Sequence, residues 1–214
     1  MTSASPASDA LSAIDACGIV AIIRGPFLAD IDRIVDGLID GGIRAIEISL
    51  TSPDALAQIE RAVARAGSRA AIGAGTVMSA RDVEDVHQKG ATFVVSPALE
   101  GGVMAETLAR SLLPLPGAYT PTEILTAVRL GAPAVKLFPS DTLDPAYVRA
   151  LLTPLPALKL VPTGGVTLER AAAFADAGAW AVGVGSPLVR APLDQAALAV
   201  RAAAFVGAMR PGSR

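Results

Sequence analysis

Short apolar runs alternate along the chain with longer stretches of helical periodicity. The runs Ile19-Val20-Ala21-Ile22-Ile23, Ala45-Ile46-Glu47-Ile48, Ala70-Ala71-Ile72-Gly73 and Phe93-Val94-Val95 predict four strands. Leu112-Leu113-Pro114-Leu115, Ala134-Val135-Lys136-Leu137-Phe138, Leu158-Lys159-Leu160-Val161 and Ala179 to Val184 predict four more. The fifth is the least strand-like, because Pro114 and Pro116 lack the N–H that a ladder needs. Unbroken apolar runs, rather than strict alternation, suit parallel strands covered on both faces.

Between the runs, Ile31, Ile34, Val35, Leu38 and Ile39 recur at helical spacing and make one buried stripe. Ser52-Pro53 reads as an N-cap followed by proline at the first helical position, and Thr120-Pro121-Thr122-Glu123 as a capping box. Gly42, Gly67, Gly90, Gly131 and Gly178 close helical stretches at intervals of 25, 23, 41 and 47 residues, the last two being double steps. Each step fits one strand and one helix. A further helix over about Ser8 to Cys17 precedes the first strand. Eight βα units predict a (β/α)8 TIM barrel with an N-terminal capping helix, a single domain over residues 1–214 with residues 1–8 outside the ordered fold. A doubly wound open sheet is the alternative, but Arg24-Gly25-Pro26-Phe27 follows the first strand where a dinucleotide-binding glycine motif would stand.

Composition removes several chemistries. The chain has 214 residues, a net charge of −2, one histidine (His87) and one cysteine (Cys17), so disulfide frameworks, Cys/His zinc clusters and most histidine-based schemes are excluded. Near neutrality argues against nucleic acid as a partner. No apolar run is long enough to span a membrane and no signal peptide is evident, which makes a cytoplasmic location the expectation. Of 18 basic residues only three are lysines: Lys89, Lys136 and Lys159. Lys89 reads as a helix-end cation and Lys159 as a snorkelling side chain. His87 is read as solvent-facing, Cys17 as buried packing, and Asp141 and Asp144 as turn or cap residues.

Lys136 is different, since it lies inside Ala-Val-Lys-Leu-Phe-Pro. An ammonium there must be paired, solvated by a pocket or held neutral, and a neutral lysine attacks carbonyls to form a Schiff base. Snorkelling is the competing reading. Glu47 also lies inside a strand, on one face with Ser49 and Thr51. Strands two and six are opposite in an eight-stranded ring, so Glu47 and Lys136 could meet across it, as a proton-transfer pair or as a structural ion pair. Thr163-Gly164-Gly165 and Gly185-Ser186 follow the last two expected strands, where barrels bind phosphate, although a Gly-Gly pair also simply makes a turn. Arg24 reads as a carboxylate clamp or as an exposed strand-end arginine, and Thr76 as a hydroxyl donor or as a helix start.

Taken in order, Ile22-Ile23-Arg24-Gly25, Ile46-Glu47-Ile48-Ser49-Leu50, Gly73-Ala74-Gly75-Thr76-Val77, Ser96-Pro97, Leu115-Pro116-Gly117, Val135 to Pro139, Pro162 to Val166 and Gly185-Ser186 resemble the class I 2-keto-3-deoxy-6-phosphogluconate/6-phosphogalactonate aldolase family, which also covers 4-hydroxy-2-oxoglutarate aldolases. The resemblance spans about residues 17 to 190. It implies cleavage of a 2-keto-3-deoxy-6-phosphosugar acid to pyruvate and glyceraldehyde 3-phosphate, without metal or cofactor, in a homotrimer. It assigns the Schiff base to Lys136 and proton transfer to Glu47. Arg24 and Thr76 would hold the pyruvate carboxylate, Pro97 and Phe138 would shape the pocket, and Gly164, Gly165, Gly185 and Ser186 would hold phosphate. Thr51 stands where many gluconate-specific relatives have arginine, and Tyr119 where a small or aliphatic residue is expected. The Glu47 to Pro53 stretch and Phe138-Pro139-Ser140 lean toward the galactonate epimer. A phosphosugar isomerase or epimerase without a covalent lysine, and a non-catalytic barrel binding a phosphorylated keto acid, are the alternatives.

Overall fold

The computed structural model describes residues 5–209. The chain begins with helix α1 (Pro6–Cys17), capped by the Ser5 hydroxyl, and continues through β1 (Ile19–Ile23), α2 (Ile31–Asp40), β2 (Ala45–Ser49) and α3 (Ala55–Ala66). Next come β3 (Ala71–Gly75), α4 (Ala80–Gln88), β4 (Phe93–Val95), α5 (Gly101–Ala109), β5 (Leu113–Leu115) and β6 (Gly117–Ala118). The last third is α6 (Pro121–Arg129), β7 (Val135–Leu137), α7 (Pro145–Leu152), β8 (Leu160–Pro162), α8 (Leu168–Asp176), β9 (Val182–Val184) and α9 (Gln195–Ala208). The first helix starts at Pro6, so residues 5–8, expected outside the ordered fold, form its cap and first turn; residues 1–4 lie outside the described residues.

All strand pairs are parallel. Six strands form one sheet in the order β5-β4-β3-β2-β1-β9, and three form a second in the order β6-β7-β8. The fold is therefore α/β with a curled parallel sheet. In place of the eight expected strands the described residues hold nine: the fifth expected strand, Leu112 to Leu115, forms as β5, and Gly117–Ala118 beyond Pro116 forms a further short strand that was not expected. Leu113–Leu115 pairs with β4, while Gly117–Ala118 pairs with β7 in the other sheet. Pro116 cannot donate to a neighbour, but its carbonyl accepts from the Lys136 N–H at 2.9 Å. At the other seam, Thr163 and Gly183 form an isolated parallel bridge, and the Trp180 N–H donates to the Leu160 carbonyl at 3.1 Å.

Strand boundaries elsewhere shift by a few residues. The third runs on to Gly75, the seventh starts only at Leu160 and leaves Lys159 outside, and the eighth starts only at Val182. The Thr120 capping box forms with Glu123 as expected. Ser52-Pro53, however, does not cap a helix. α3 begins three residues beyond Ser52, after Asp54 in the left-handed region at φ 55° and with no side-chain cap, and the Ser52 hydroxyl instead accepts from the Gly25 N–H.

Alternation along each strand separates two packing layers. Ile19, Ala21 and Ile23 of β1, and Ile46 and Ile48 of β2, face the helices, packing with Ile34, Val35, Leu38 and Ile59. Val20, Ala45, Phe93, Leu113, Ala134 and Val161 turn the other way and form an inner cluster that α1 joins through Ala10 and Ile14. Two residues further along β2 and β7, the inner positions are Glu47 and Lys136. Apolar packing thus supports the floor of the site, and the next inner layer is polar.

Candidate active site

A cavity of about 370 Å³ opens above that layer, at the C-terminal ends of the strands. It brings together most of the residues singled out from sequence: Arg24, Glu47, Lys136, Phe138, Gly164, Gly165, Gly185 and Ser186 all line it. Glu47 is 2% exposed and Lys136 7% exposed. No ion pair within 4.0 Å joins them among the described residues, and both line the cavity. The Lys136 Nζ lies 4.7 Å from the centre of the Phe138 ring, close enough for a cation–π contact.

Burial sets the electrostatics. Desolvation holds the Lys136 ammonium below its ordinary pKa; the Glu47 carboxylate opposes this shift and the Arg24 guanidinium adds to it. For Glu47, desolvation raises the pKa, while Lys136 and Arg24 pull it down. The directions suit an amine able to lose its proton and a carboxyl able to carry one, the condition for a nucleophile beside a general acid/base.

Glu47 has room because of Gly75. A Cβ there would collide with the Glu47 carboxylate, just as one at Gly73 would strike the Phe93 ring. The glycines of β3 are thus the space into which a carboxylate and an aromatic ring of its neighbours fit. At the opposite wall, Gly164 and Gly165 take φ of 105° and 60° and carry the backbone to the cavity just ahead of α8, whose first turn follows the Thr167 cap. Ser140 braces this loop: its hydroxyl donates to the Gly164 carbonyl at 2.9 Å and its N–H to the Thr163 carbonyl at 2.9 Å. Arg170 in turn donates to the carbonyls of Ser140 and Leu143 at 2.7 and 2.8 Å. A glycine-rich loop at a helix start is a natural anion seat.

Two of the expected residues, Thr76 and Pro97, do not line the cavity. Thr76, at φ 59°, shares a 2.9 Å hydrogen bond with the Ser49 hydroxyl, which shares another of 2.9 Å with Thr51. Pro97 is half-buried, and its carbonyl occupies the place a Cβ on Gly117 would need. Ile22, Thr163, Gly183 and Val189 also line the cavity. Ile22 and Gly183 were legible only from strand register, being the inner-face neighbours of Val20 and of Ala181; nothing local distinguishes Val189. Among the described residues no group of three or more His, Cys, Asp or Glu side chains converges as a metal site. Lys159 is half-buried outside the site, with its Nζ 4.8 Å from the Trp180 ring centre, and Lys89 pairs with Glu60 at 3.2 Å. His87 is exposed and Cys17 buried, as the sequence suggests.

A buried lysine of lowered pKa beside a buried carboxyl at the strand ends of a parallel α/β sheet is the arrangement a lysine-dependent carbonyl enzyme requires. The profile described as "Aldolase: KDPG and KHG aldolase" matches residues 11–200. The "2-dehydro-3-deoxy-6-phosphogalactonate aldolase" of Escherichia coli (strain K12) is 37% identical over 193 residues, covering 90% of this chain and 94% of its own. A solved structure described as "Native KDPGal structure" superimposes with a TM-score of 0.84 at 37% identity, covering 89% of this chain and 93% of that one. A second, a cube-shaped cage "designed by fusing symmetric oligomeric domains", gives the same TM-score and identity over 89% of this chain and 71% of that one. The chain belongs to the KDPG and KHG aldolase family.

Proposed function

We propose that this protein cleaves a 2-keto-3-deoxy-6-phosphosugar acid to pyruvate and glyceraldehyde 3-phosphate through a Schiff base on Lys136. The neutral amine adds to the C2 carbonyl, and loss of water from the carbinolamine gives a protonated imine. That imine is the electron sink. As the C4 hydroxyl gives up its proton to Glu47, the C3–C4 bond breaks, the aldehyde leaves and the electron pair forms an enamine. Protonation of the enamine at C3 and hydrolysis of the imine release pyruvate and restore the lysine. Arg24 and Thr76 hold the substrate carboxylate, Pro97 and Phe138 shape the wall, and the backbone at Gly164, Gly165, Gly185 and Ser186 receives the phosphate.

The observation that carries this reading is the placement of Lys136, buried with a lowered pKa and facing the same cavity as Glu47. The substrate epimer is read as galactonate, the activity in the description of the 37% identical E. coli relative. The two sheets are read as one closed eight-stranded barrel over a single domain, with α1 across its lower end. Support comes from the single residue separating β5 from β6, the Thr163–Gly183 bridge and the insertion of Ala10 and Ile14 into the inner cluster. A homotrimer in the cytoplasm completes the reading; no helix among the described residues is long and apolar enough to cross a membrane. Light scattering should give a mass about three times the 21.6 kDa chain.

Borohydride reduction in the presence of pyruvate is the direct test. The adduct is expected on the wild-type chain and absent from Lys136→Ala. Turnover without an adduct would instead identify an isomerase or epimerase, and absence of pyruvate release from both epimers would identify a binding barrel. Comparing cleavage rates of the gluconate and galactonate substrates decides the epimer.

A further inference from the structure

Arg24 stands at the cavity rim with no hydrogen bond or ion pair of its side chain among the described residues. What fixes it is the backbone of the next residue. The Gly25 N–H donates to the Ser52 hydroxyl at 3.0 Å, and the Gly25 carbonyl accepts from the Gln58 side-chain amide at 3.0 Å. Gly25 takes φ of 141°, and a Cβ on it would press into the Phe27 ring at 2.8 Å, so the residue is glycine for the sake of this conformation. Ser52 is 6% exposed and Gln58 0%. The second amide proton of Gln58 goes to the Pro53 carbonyl at 2.7 Å, which ties the amide to the loop after β2 as well. Its Oε1 has no partner. A buried acceptor left unpaired is a cost that an apolar side chain of the same shape would avoid, so the two donated bonds are what the amide contributes here. Ser52, two residues ahead of the N-cap position Asp54, makes no cap for α3, which starts without a side-chain cap.

We propose that Ser52 and Gln58 are positioning residues, a two-sided latch on Gly25 that joins the loop after β1 to the strand unit carrying Glu47 and so holds Arg24 at the carboxylate end of the cavity. The proposal rests on the reading of Arg24 as the clamp for the keto-acid carboxylate. Neither latch residue reaches the cavity. They act through Arg24, and their loss is felt in substrate binding before it is felt in bond cleavage.

Steady-state kinetics of Ser52→Ala, Gln58→Leu and the double variant test this. The expected result is a KM for the phosphorylated keto acid raised about tenfold, with kcat within about twofold of wild type. Partial unfolding would have the opposite signature, lowering apparent kcat without moving KM. Each substitution is then repeated in an Arg24→Ala background, where it should leave KM unchanged because the group it positions is already gone. An unaltered KM in the single variants, or an undiminished KM effect without Arg24, overturns the latch. Amide hydrogen exchange at Gly25, faster in Ser52→Ala than in wild type, reads the latch without turnover. It therefore stands or falls even if the wild-type chain proves to have another activity, and unchanged exchange would also overturn it.

Discussion

Lys136 is the proposed Schiff-base residue, and the inner face of a parallel sheet is a poor place for an ammonium. Burial pushes its pKa down, and the negative charge of Glu47 limits the shift by pushing it up. Only the neutral amine attacks a carbonyl, so borohydride trapping with pyruvate should rise with pH through the lowered lysine pKa. Glu47→Gln removes the one contribution that raises it. The rising limb of that variant is therefore expected at lower pH than in the wild type, even as its kcat falls by roughly 10² to 10⁴ for want of a proton-transfer group. A limb that stays put or moves to higher pH would show that the two groups do not sense each other as their burial implies. Lys136 and Glu47 were legible from sequence because a charge in the middle of an apolar strand is conspicuous. Ser52 and Gln58 were not, since their partner Gly25 is 27 and 33 residues away and a serine before a proline looks like a helix cap. Local pattern cannot show that a hydroxyl has been engaged by another loop.

At the level of elements, hydrophobic spacing was sufficient for the helices and for eight of the strands in their order, but not for β6 or the seams. The α2 stripe and the Thr120 box are local features and emerged as expected. The strand beyond Pro116 depends instead on Gly117 and Ala118 pairing with β7 while β5 pairs with β4, a non-local choice. Packing between α2 and α9 is also non-local. A Cβ at Gly41, the C-cap of α2, would collide with Ala202 and with the Ala199 carbonyl, so the two helices approach closely at a point where only glycine fits. Gly41→Ala, often a harmless exchange near a helix end, is expected to cost about 1–3 kcal/mol through overpacking. For a chain of this size that lowers Tm by roughly 2–4 °C for each kcal/mol. Calorimetry at constant pH checks it, and kcat of the remaining folded enzyme should be unchanged because the contact lies on the helical shell.

Across the whole molecule, the residues proposed to react come from different sheets. Glu47 and Arg24 follow from the six-stranded sheet, Lys136 and the Gly164-Gly165 loop from the three-stranded one. Their relative position is thus only as precise as the seams, at Pro116 on one side and at Thr163 and Gly183 on the other. The second seam is tightly built: a Cβ on Gly183 would run into the Thr163 side chain, whose hydroxyl donates to the Val161 carbonyl and whose backbone leads into the glycine loop. Gly183→Ala must move Thr163 or part the bridge, and either shifts the Gly164-Gly165 loop, the proposed phosphate seat, relative to Lys136. Misplacement by about 1 Å costs on the order of 100-fold in rate where attack geometry is demanding. The variant is therefore expected to lose far more kcat/KM toward the phosphorylated substrate than its change in Tm would suggest. Pyruvate lacks the phosphate and needs only the lysine and carboxylate ends of the cavity, so trapping with pyruvate should be largely retained. Equal loss of both activities would mean that the seam serves only to keep the chain folded, and that Lys136 and the loop are aligned by other contacts.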